Sequence, residues 1–320
     1  MLYYNISDIL KCNFIGKNYR IRSNTKKYPV KIKVKTDKKK NNFVNVLNKL
    51  HLMFPDIYEK SEKENPDYLM NNNRGNFLVW YIDGEDNITD KYNLEKYSIY
   101  TINDLDDENY LYISKPVHPY IGSGKFIEIG SKEKLEKRDK ILFKDQYLQF
   151  IIQPLISRKL ILWNNEFKFD IRLYSVIYIT KNKIKYYNHP YGVARLSLNR
   201  YDPINNYESV ITNISIQERL DGYSKEKTLK LIRDDLRLGE AIMQDIKNKN
   251  LFTIDKRKEN QILILGLDVL LLNDESFRLI EINKDPYISI IPDEKNMESI
   301  ACQSLIRKIF GEIIPEMKTK

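Results

Sequence analysis

Two acidic residues lie inside a very apolar stretch near the C-terminal end of the sequence, ILILGLDVLLLNDESFRLIEINKDP at 262–286. Its first half is interrupted only by Gly266 and Asp268, and its second half alternates apolar and polar residues. The Asn-Asp-Glu-Ser segment between the halves has the composition of a turn, so the pattern predicts a β-hairpin. A loop of two or four residues would pair Leu272 with Phe277.

This pairing predicts that two carboxylates face each other across the hairpin. Asp268 lies directly opposite Glu281, and Asn283 lies on the same face opposite Gly266, because side chains alternate along a strand. Like charges in this arrangement destabilise a sheet, and a divalent cation held by oxygen ligands would remove the conflict. A register that slips by one residue would instead turn Asp268 toward solvent. Both registers remain open from the hairpin sequence alone.

Length and composition describe a globular protein with room for two or three domains. The chain has 320 residues, of which 42% are hydrophobic and 30% charged. Cys12 and Cys302 are its only cysteines and form no CxxC motif, so we expect neither a disulfide framework nor a zinc site, and a reducing, cytoplasmic location. The N-terminus does not resemble a secretory signal, and no apolar run approaches the ~18 residues of a membrane span. We therefore expect no segment that spans a membrane.

The net charge of +9 is concentrated at the N-terminal end. Residues 1–60 carry fourteen Lys or Arg against four Asp or Glu, a net +10, so the rest of the chain sums to −1. A basic end on a neutral body indicates an acidic partner, which could be nucleic acid, a membrane surface or an acidic polypeptide. The sequence contains no zinc-finger, RNP-like or KH-like motif that favours nucleic acid. A solvated lysine-rich surface without any partner is the simpler alternative.

Short strands and helices alternate with antiparallel hairpins along the chain, which predicts the α+β class. The predicted strands lie at 28–35, 77–82, 110–114, 150–155, 167–179 and 184–187. The predicted helices lie at 43–53, 132–143 and 225–247. The polar, asparagine-rich stretch 61–74 is the first candidate domain boundary.

A second concentration of charge lies in the segment FKFDIRLY. Lys168, Asp170 and Arg172 occupy alternate positions and share one strand face, while apolar residues line the other face. Such a polar face is compatible with plain solvent exposure. It would also suit phosphate binding, because Lys supplies a point charge and Arg a planar fork. Arg195 in HPYGVARLSL and Asn213 in VITNISIQ are further polar residues that could belong to the same site.

A glycine turn, Gly122-Ser123-Gly124, follows Lys115 in the segment KPVHPYIGSGKFIEI. The segment does not match the Walker A pattern GxxxxGK[ST], and a glycine turn alone is most often an ordinary hairpin turn. The order of the motifs is more informative: a basic strand, a glycine loop, a second basic strand and a carboxylate hairpin. Together they could surround a nucleoside triphosphate and its metal.

These motifs resemble the tubulin–tyrosine ligase-like family of ATP-grasp ligases. The matching pieces are Lys-Pro with its glycine loop, FKFDIRLY, GVARLS, TNISIQ and LDVLLLNDESFRLIEINKDP, in the family's order between residues 115 and 286. The resemblance implies an ATP-grasp fold with the nucleotide held between two domains. The implied domains are a basic N-terminal acceptor-docking domain at 1–72, a central domain at 73–159 and a C-terminal domain at 160–320.

The resemblance also implies roles for the residues at the matching positions. Those expected to contact ATP are Lys115, Lys168, Gly122, Gly124 and Gln153. Those expected near the reacting groups are Arg172, Arg195, Asp170 and Asn213. Those expected to hold Mg²⁺, or Mn²⁺, are Asp268, Glu281 and Asn283. Two positions depart from the family pattern: a glutamine expected before strand 150–155 is displaced by one place, and a histidine before Thr-Asn is absent. Both departures leave the acceptor and the amino acid open.

The function implied by the resemblance is ATP-dependent ligation of an amino acid to a protein carboxylate through an acyl phosphate. The amino acid could be Tyr, Glu or Gly, and the acceptor that best suits the basic N-terminus is an acidic tubulin tail bound by a monomeric enzyme. Two alternatives remain: a ligase of small metabolites or peptides, and a catalytically idle module that binds an acidic partner. The complete set of metal-binding oxygen ligands favours an enzyme.

Overall fold

The computed structural model describes only part of the chain. The described residues are 30–34, 58–60, 68–70, 77–78, 86–89, 111–116, 126–138, 140–143, 146–155, 160–180, 183–250, 252, 261–273, 277–284, 286 and 297–318. The helix predicted at 43–53 and the glycine turn with Gly122 and Gly124 lie outside these residues. The domain boundaries therefore stay predictions.

Four short strands in the N-terminal quarter form a parallel sheet in the order β2-β1-β3-β4. Their bounds are β1 Val30–Val34, β2 Tyr58–Lys60, β3 Tyr68–Met70 and β4 Phe77–Leu78. The strand predicted at 28–35 from its alternating pattern is confirmed as β1, and only the start of the strand predicted at 77–82 is described.

A short helix and two small antiparallel sheets follow. Their bounds are α1 Asp86–Thr89, β5 Tyr112–Pro116, β6 Glu128–Gly130, α2 Lys132–Glu136, β7 Leu142–Phe143, β8 Gln146–Tyr147 and β9 Phe150–Pro154. Strands β6, β5 and β9 form one sheet in that order, and β7 pairs with β8. Ser131 caps α2 as predicted, since its hydroxyl accepts a hydrogen bond from the Lys134 backbone N–H at 3.3 Å. The helix predicted at 132–143 is too long, because its last residues belong to β7.

The remainder of the chain builds a six-stranded antiparallel sheet with helices on both faces. Its elements are β10 Phe169–Thr180, β11 Lys183–Asn188, β12 Tyr191–Leu196, a 3-10 helix Tyr207–Val210, α3 Ile214–Gln217, α4 Lys225–Thr228, β13 Leu229–Arg233, α5 Leu238–Asn248, β14 Ile262–Leu271, β15 Phe277–Lys284, α6 Met297–Lys308, a π-helical segment Ile309–Ile313 and α7 Ile314–Lys318. The order is β13-β12-β10-β14-β15, and β11 pairs with the second half of β10. The expected mixture of α and β structure with antiparallel hairpins is confirmed.

The alternation of side chains along β10 divides the core into two layers. Phe169, Ile171 and Leu173 are buried in the layer that contains α5. Tyr174 and Val176, of opposite parity, are buried in the layer that contains α6 and α7. Lys168, Asp170 and Arg172 share the parity of Tyr174, so the charged residues continue the face that α6 covers farther along the strand.

The hairpin of β14 and β15 confirms the predicted opposition of the two carboxylates. Asp268 pairs with Glu281, and Gly266 pairs with Asn283. The predicted pairing of Leu272 with Phe277 is wrong, because Phe277 pairs with Leu271. An irregularity between Asp268 and Val269 shifts the register by one residue and so reconciles the two observations.

The long helix predicted at 225–247 is also wrong. The segment holds a single-turn helix, α4, then strand β13 at the edge of the sheet, and then α5. Leu229 and Leu231 are buried because β13 pairs with β12, whereas Leu236, expected on the apolar face of the helix, is exposed. The apolar residues in this segment occur at helical spacing, but the first of them belong to strand β13 and the later ones to helix α5. Among the described residues, no helix is long and apolar enough to cross a membrane.

Candidate functional site

The first charged pair of the site joins the central strands β10 and β14. Arg172 and Asp268 are directly opposite in the register. The guanidinium donates from Nε to Oδ1 and from Nη2 to Oδ2, the second bond measuring 2.9 Å. Side-chain exposure is only 11% for Arg172 and 3% for Asp268, so the pair is a buried, bidentate ion pair.

A second bidentate pair lies next to the first on the other side of β10. Arg195 of β12 is opposite Asp170 and donates from Nε to Oδ1 at 2.6 Å and from Nη2 to Oδ2 at 2.8 Å. Nη2 of Arg195 also lies 2.9 Å from Oδ2 of Asp268, which links the two pairs. The Thr212 hydroxyl donates to Oδ2 of Asp170 at 2.5 Å. Two guanidinium groups are therefore fixed side by side on one face of the sheet.

The predicted metal-binding hairpin borders this array. Nδ2 of Asn283 donates to Oδ2 of Asp268 at 3.3 Å and to Oε1 of Glu281 at 3.1 Å. The three side chains expected to hold Mg²⁺ thus converge at one place. Asp268 is buried, while Glu281 and Asn283 are half-buried.

Gly266 is needed for the position of Arg172. A Cβ at this residue would lie 3.1 Å from Cδ and 3.3 Å from Nη1 of Arg172, and 2.9 Å from Cβ of Pro286. The contact with Pro286 is closer than side chains tolerate, and the two contacts with Arg172 are tight, because the arginine side chain lies in the space that glycine leaves open.

The charges of the array shift the ionisation of its members. Burial alone would raise the pKa of Asp268, but the guanidinium groups of Arg172 and Arg195 outweigh burial and hold that pKa well below its usual range. Burial likewise opposes the charge of Arg172, but the Asp268 carboxylate outweighs it and raises the pKa of Arg172. The Arg172–Asp268 pair therefore stays charged across the physiological pH range.

Lys168 lies at the start of the same strand face and is buried. Its Nζ donates to the Val210 carbonyl at 3.0 Å, and burial lowers the pKa of the ammonium group. Val210 and Ile211 form a hydrophobic cluster with Leu155, and Ile113 of β5 packs against this cluster, so the loop next to Lys168 also borders the small sheet.

Two of the residues predicted to contact ATP lie on that small sheet. Lys115 of β5 is opposite Ile151, and Gln153 of β9 is opposite Ile113. Opposed residues share a face and alternate residues return to it, so Lys115 and Gln153 lie on the face to which Ile113 belongs. Both side chains are half-buried.

The structure thus brings together most of the side chains predicted for the site. Seven of them lie on one face of the large sheet: Lys168, Asp170, Arg172, Arg195, Asp268, Glu281 and Asn283. Asn213 is exposed at the start of α3, next to Thr212. Gly122 and Gly124 lie outside the described residues.

Sequence reasoning missed two residues that hold the site together. Thr212 was passed over beside Asn213, although its hydroxyl binds Asp170. Gln217 is fully buried, and its Nε2 donates to the carbonyls of Leu196 at 2.8 Å and Ile211 at 2.7 Å. It thereby ties the end of β12, next to Arg195, to the loop that carries Thr212. Both residues belong to the TNISIQ segment, which was the available signal.

The fit of Mg²⁺ rests on the oxygen atoms of the hairpin. Within the described ranges, no cluster of three or more His, Cys, Asp or Glu residues could hold a metal ion. The predicted Mg²⁺ ligands are not such a cluster, because they comprise two carboxylates and one amide, that of Asn283. Asn283 uses Nδ2 for Asp268 and Glu281, so its Oδ1 takes no part in these bonds. Carboxylate and amide oxygens are the ligands that Mg²⁺ prefers, so the residue types fit the ion once the Asn283 amide turns Oδ1, in place of Nδ2, toward the two carboxylates.

The structure corrects the reason for expecting a metal at the opposed carboxylates. The cations that neutralise Asp268 are the guanidinium groups of Arg172 and Arg195. The hairpin can therefore place Asp268 opposite Glu281 without a metal ion.

Comparison with protein families shows to which family the chain belongs. The family model described as "Tubulin-tyrosine ligase family" matches residues 85–251, more than half of the chain. The matched region contains both arginines and Asp170, whereas the carboxylate hairpin follows it. No curated protein matches the sequence.

Proposed function

Because this chain belongs to the tubulin-tyrosine ligase family, a family of ligases, we propose that it is an ATP-dependent ligase that joins an amino acid to a carboxylate of a protein acceptor. The observation that carries the proposal is the pair of buried guanidinium groups of Arg172 and Arg195, each held by a bidentate carboxylate. Charged donors fixed in this way need no reorganisation when negative charge moves during a reaction.

The reaction proceeds in two steps. An oxygen of the acceptor carboxylate attacks the γ-phosphorus of ATP, the bond from that phosphorus to the bridging oxygen breaks, and ADP leaves with an acyl phosphate in place. The amine of the amino acid then attacks the acyl carbon, the carbon–oxygen bond to phosphate breaks, and inorganic phosphate leaves. The first step supplies the leaving group that a carboxylate lacks.

Each residue of the site has its own role in the proposed reaction. Arg172 and Arg195 stabilise the charge spread over the transferred phosphoryl oxygens. Lys168 and Lys115, with Gln153, bind the nucleotide between the two sheets, and the resemblance to the family adds Gly122 and Gly124 to the nucleotide-binding residues. Asp170 and Asp268 orient the arginines.

Mg²⁺, or Mn²⁺, is the metal cofactor. Asp268, Glu281 and Asn283 would hold it, and when bound it supplies positive charge to the ATP phosphates. Asn213 lies at the exposed edge of the site, next to Thr212, where the amino acid or the acceptor would enter.

The proposed acceptor is an acidic protein tail, such as that of tubulin, which fits the net charge of +10 over residues 1–60. The alternating sequence YPVKIKVK predicts that Lys31, Lys33 and Lys35 share one strand face. Replacing Lys31, Lys33 and Lys35 by Gln should raise the KM for the acceptor, with an effect that shrinks as salt rises, and leave the KM for ATP unchanged. An unchanged acceptor KM at low salt would remove the basic segment from acceptor binding.

The proposal is tested by incubating the protein with ATP, Mg²⁺ and radiolabelled Tyr, Glu or Gly, with and without tubulin. We expect one amino acid to enter the acceptor, with one ADP formed for each bond. An Arg172→Gln variant should be inactive, and a variant in an exposed ion pair, Lys137→Gln, should be fully active. Labelling that does not depend on the acceptor would favour a small-molecule ligase, and absence of labelling with all acceptors would contradict the proposal.

A further inference from the structure

Helix α6 lies across the same sheet face as the arginine array. Its Cys302 is buried, and the thiol lies 3.6 Å from the hydroxyl of Tyr174. Farther along, Glu316 of α7 accepts a hydrogen bond from Tyr178 at 2.9 Å. Helix α6 packs on β12 and β13, and α7 packs on β10, so the helical chain crosses the sheet obliquely. The N-terminal turn of α6 lies nearest the site.

This direction places Glu298 over the array. Glu298 precedes Cys302 by four residues and so lies on the same helix face, one turn nearer the N-terminus. Arg172 precedes Tyr174 by two residues and lies on the same strand face. Helix α6 also packs on β12, the strand that carries Arg195. One step from Tyr174 toward the site along the strand face lies Arg172, and one turn from Cys302 toward the site along the helix lies Glu298. Glu298 is therefore the helix residue that we expect near Arg172.

The charges around Glu298 agree with this placement. Arg172, Arg195 and Lys225 act on its carboxyl group as cations, and Glu218 acts as an anion. Lys225 is itself paired with Glu218 at 3.4 Å. Tyr174 and Tyr223 also interact electrostatically with Glu298. The glutamate is half-buried, and burial raises the pKa of its carboxyl group in spite of the three cations.

Glu298 is not needed to hold the arginines. Arg172 is fixed by both oxygens of Asp268, and Arg195 by both oxygens of Asp170 and one of Asp268. The ligation step, however, has a requirement that these residues do not meet. An amino acid arrives as an ammonium ion, and it must lose a proton before its nitrogen can attack an acyl carbon.

On the basis of the proposed function, we propose that Glu298 binds the ammonium group of the incoming amino acid and accepts its proton. The N–H bond breaks, the carboxylate of Glu298 takes the proton, and the nitrogen lone pair forms the C–N bond. The second proton of the nitrogen leaves with the phosphate as the C–O bond breaks. Glu298 then returns its proton to water when the product leaves.

Hydroxylamine separates this role from the rest of the reaction. It is largely uncharged at neutral pH and attacks acyl phosphates without prior loss of a proton, which gives a hydroxamate. With MgATP and tubulin, Glu298→Gln should form hydroxamate at the wild-type rate, because phosphoryl transfer is untouched. Incorporation of labelled Tyr, Glu or Gly should fall about 10²-fold or more, the contribution of a positioned base. The remaining incorporation should increase as pH rises, because the fraction of free amine grows.

A matched control is Glu312→Gln, since Glu312 is a half-exposed glutamate that pairs with Lys308 beyond the end of the same helix. It should retain both activities. If Glu298→Gln lost hydroxamate and amide formation equally, Glu298 would serve the arginines or the fold, and the proposal would be wrong. Unchanged incorporation would also overturn it. If the wild-type protein formed neither product, the ligase function itself would be wrong.

Discussion

Arg172 and Asp268, 96 residues apart in the sequence, form a buried bidentate ion pair across the central strands of the large sheet. The pair joins two motifs that are far apart along the chain, FKFDIRLY and the carboxylate hairpin. Asp268 also contacts Arg195 and Asn283, so it links the arginines to the predicted metal ligands. We expect this carboxylate to matter for both stability and activity.

The first prediction concerns the stability that Asp268 provides. Asp268→Ala leaves Arg172 buried without its carboxylate, which should lower the free energy of unfolding by about 3–5 kcal/mol. Urea denaturation measures this change. Glu133→Gln, which breaks an exposed ion pair with Lys137, is the control and should have no measurable effect. A decrease below about 1 kcal/mol in Asp268→Ala would show that Arg172 finds another partner or reaches water.

The second prediction concerns the space above Gly266. Gly266→Ala adds a methyl group 2.9 Å from Cβ of Pro286 and 3.1 Å from Cδ of Arg172, so the arginine must move. We expect destabilisation of about 1–3 kcal/mol, the cost of overpacking, together with loss of ligase activity. Gly130→Ala is the control, because the closest atom to its added Cβ, at 3.3 Å, belongs to the flexible side chain of Lys134. Full activity in Gly266→Ala would mean that the position of Arg172 is not critical.

The third prediction separates metal binding from folding. Glu281→Gln removes one oxygen charge from the proposed Mg²⁺ site while retaining the shape of the side chain. The ion pairs of Asp268 with the arginines stay in place, so the free energy of unfolding should change little, whereas turnover with MgATP should be lost. Circular dichroism during thermal unfolding and the labelling assay measure the two effects. Wild-type turnover in this variant would remove Glu281 from the metal site.

The fourth prediction concerns stability in acid. Burial lowers the pKa of His189 to about 3, below the unfolded value of about 6.5. Between these values the unfolded chain binds a proton that the folded chain does not, so stability falls as pH falls, by up to about 1.4 kcal/mol per pH unit. His189→Asn should show a shallower slope between pH 6.5 and pH 4.5 in urea denaturation. Equal slopes in the two proteins would show that His189 does not control this loss.

The fold was predictable where neighbours in sequence determine it. The alternating pattern of FKFDIRLY correctly separated its core face from its polar face, and turn chemistry correctly located the β14–β15 hairpin. The exact loop pairing failed because an irregularity next to Asp268 adds a residue to one strand, and this feature has no clear signature in the sequence. The helix predicted at 225–247 failed because pairing with β12 overrides helical periodicity at Leu229 and Leu231.

The sequence was sufficient to predict which residues form the site, but not which of them contact each other. Lys168, Asp170 and Arg172 were expected to share a face, but that face is buried and not solvated, because strands and helices distant in sequence cover it. The partners of Asp268 were not predictable, since a metal ion and an arginine can neutralise the same carboxylate. Glu298 was overlooked because only the packing of α6 brings it to the array.

The path of one oxygen atom tests the central claim most directly. A synthetic glutamate-rich peptide whose side-chain and C-terminal carboxylates all carry ¹⁸O serves as the acceptor, with MgATP and the amino acid that the labelling assay identifies. If the acceptor carboxylate is phosphorylated first, the inorganic phosphate must carry one ¹⁸O atom for each new amide bond, which mass spectrometry detects. Phosphate without ¹⁸O, formed while the amide bond forms, would contradict the acyl-phosphate route.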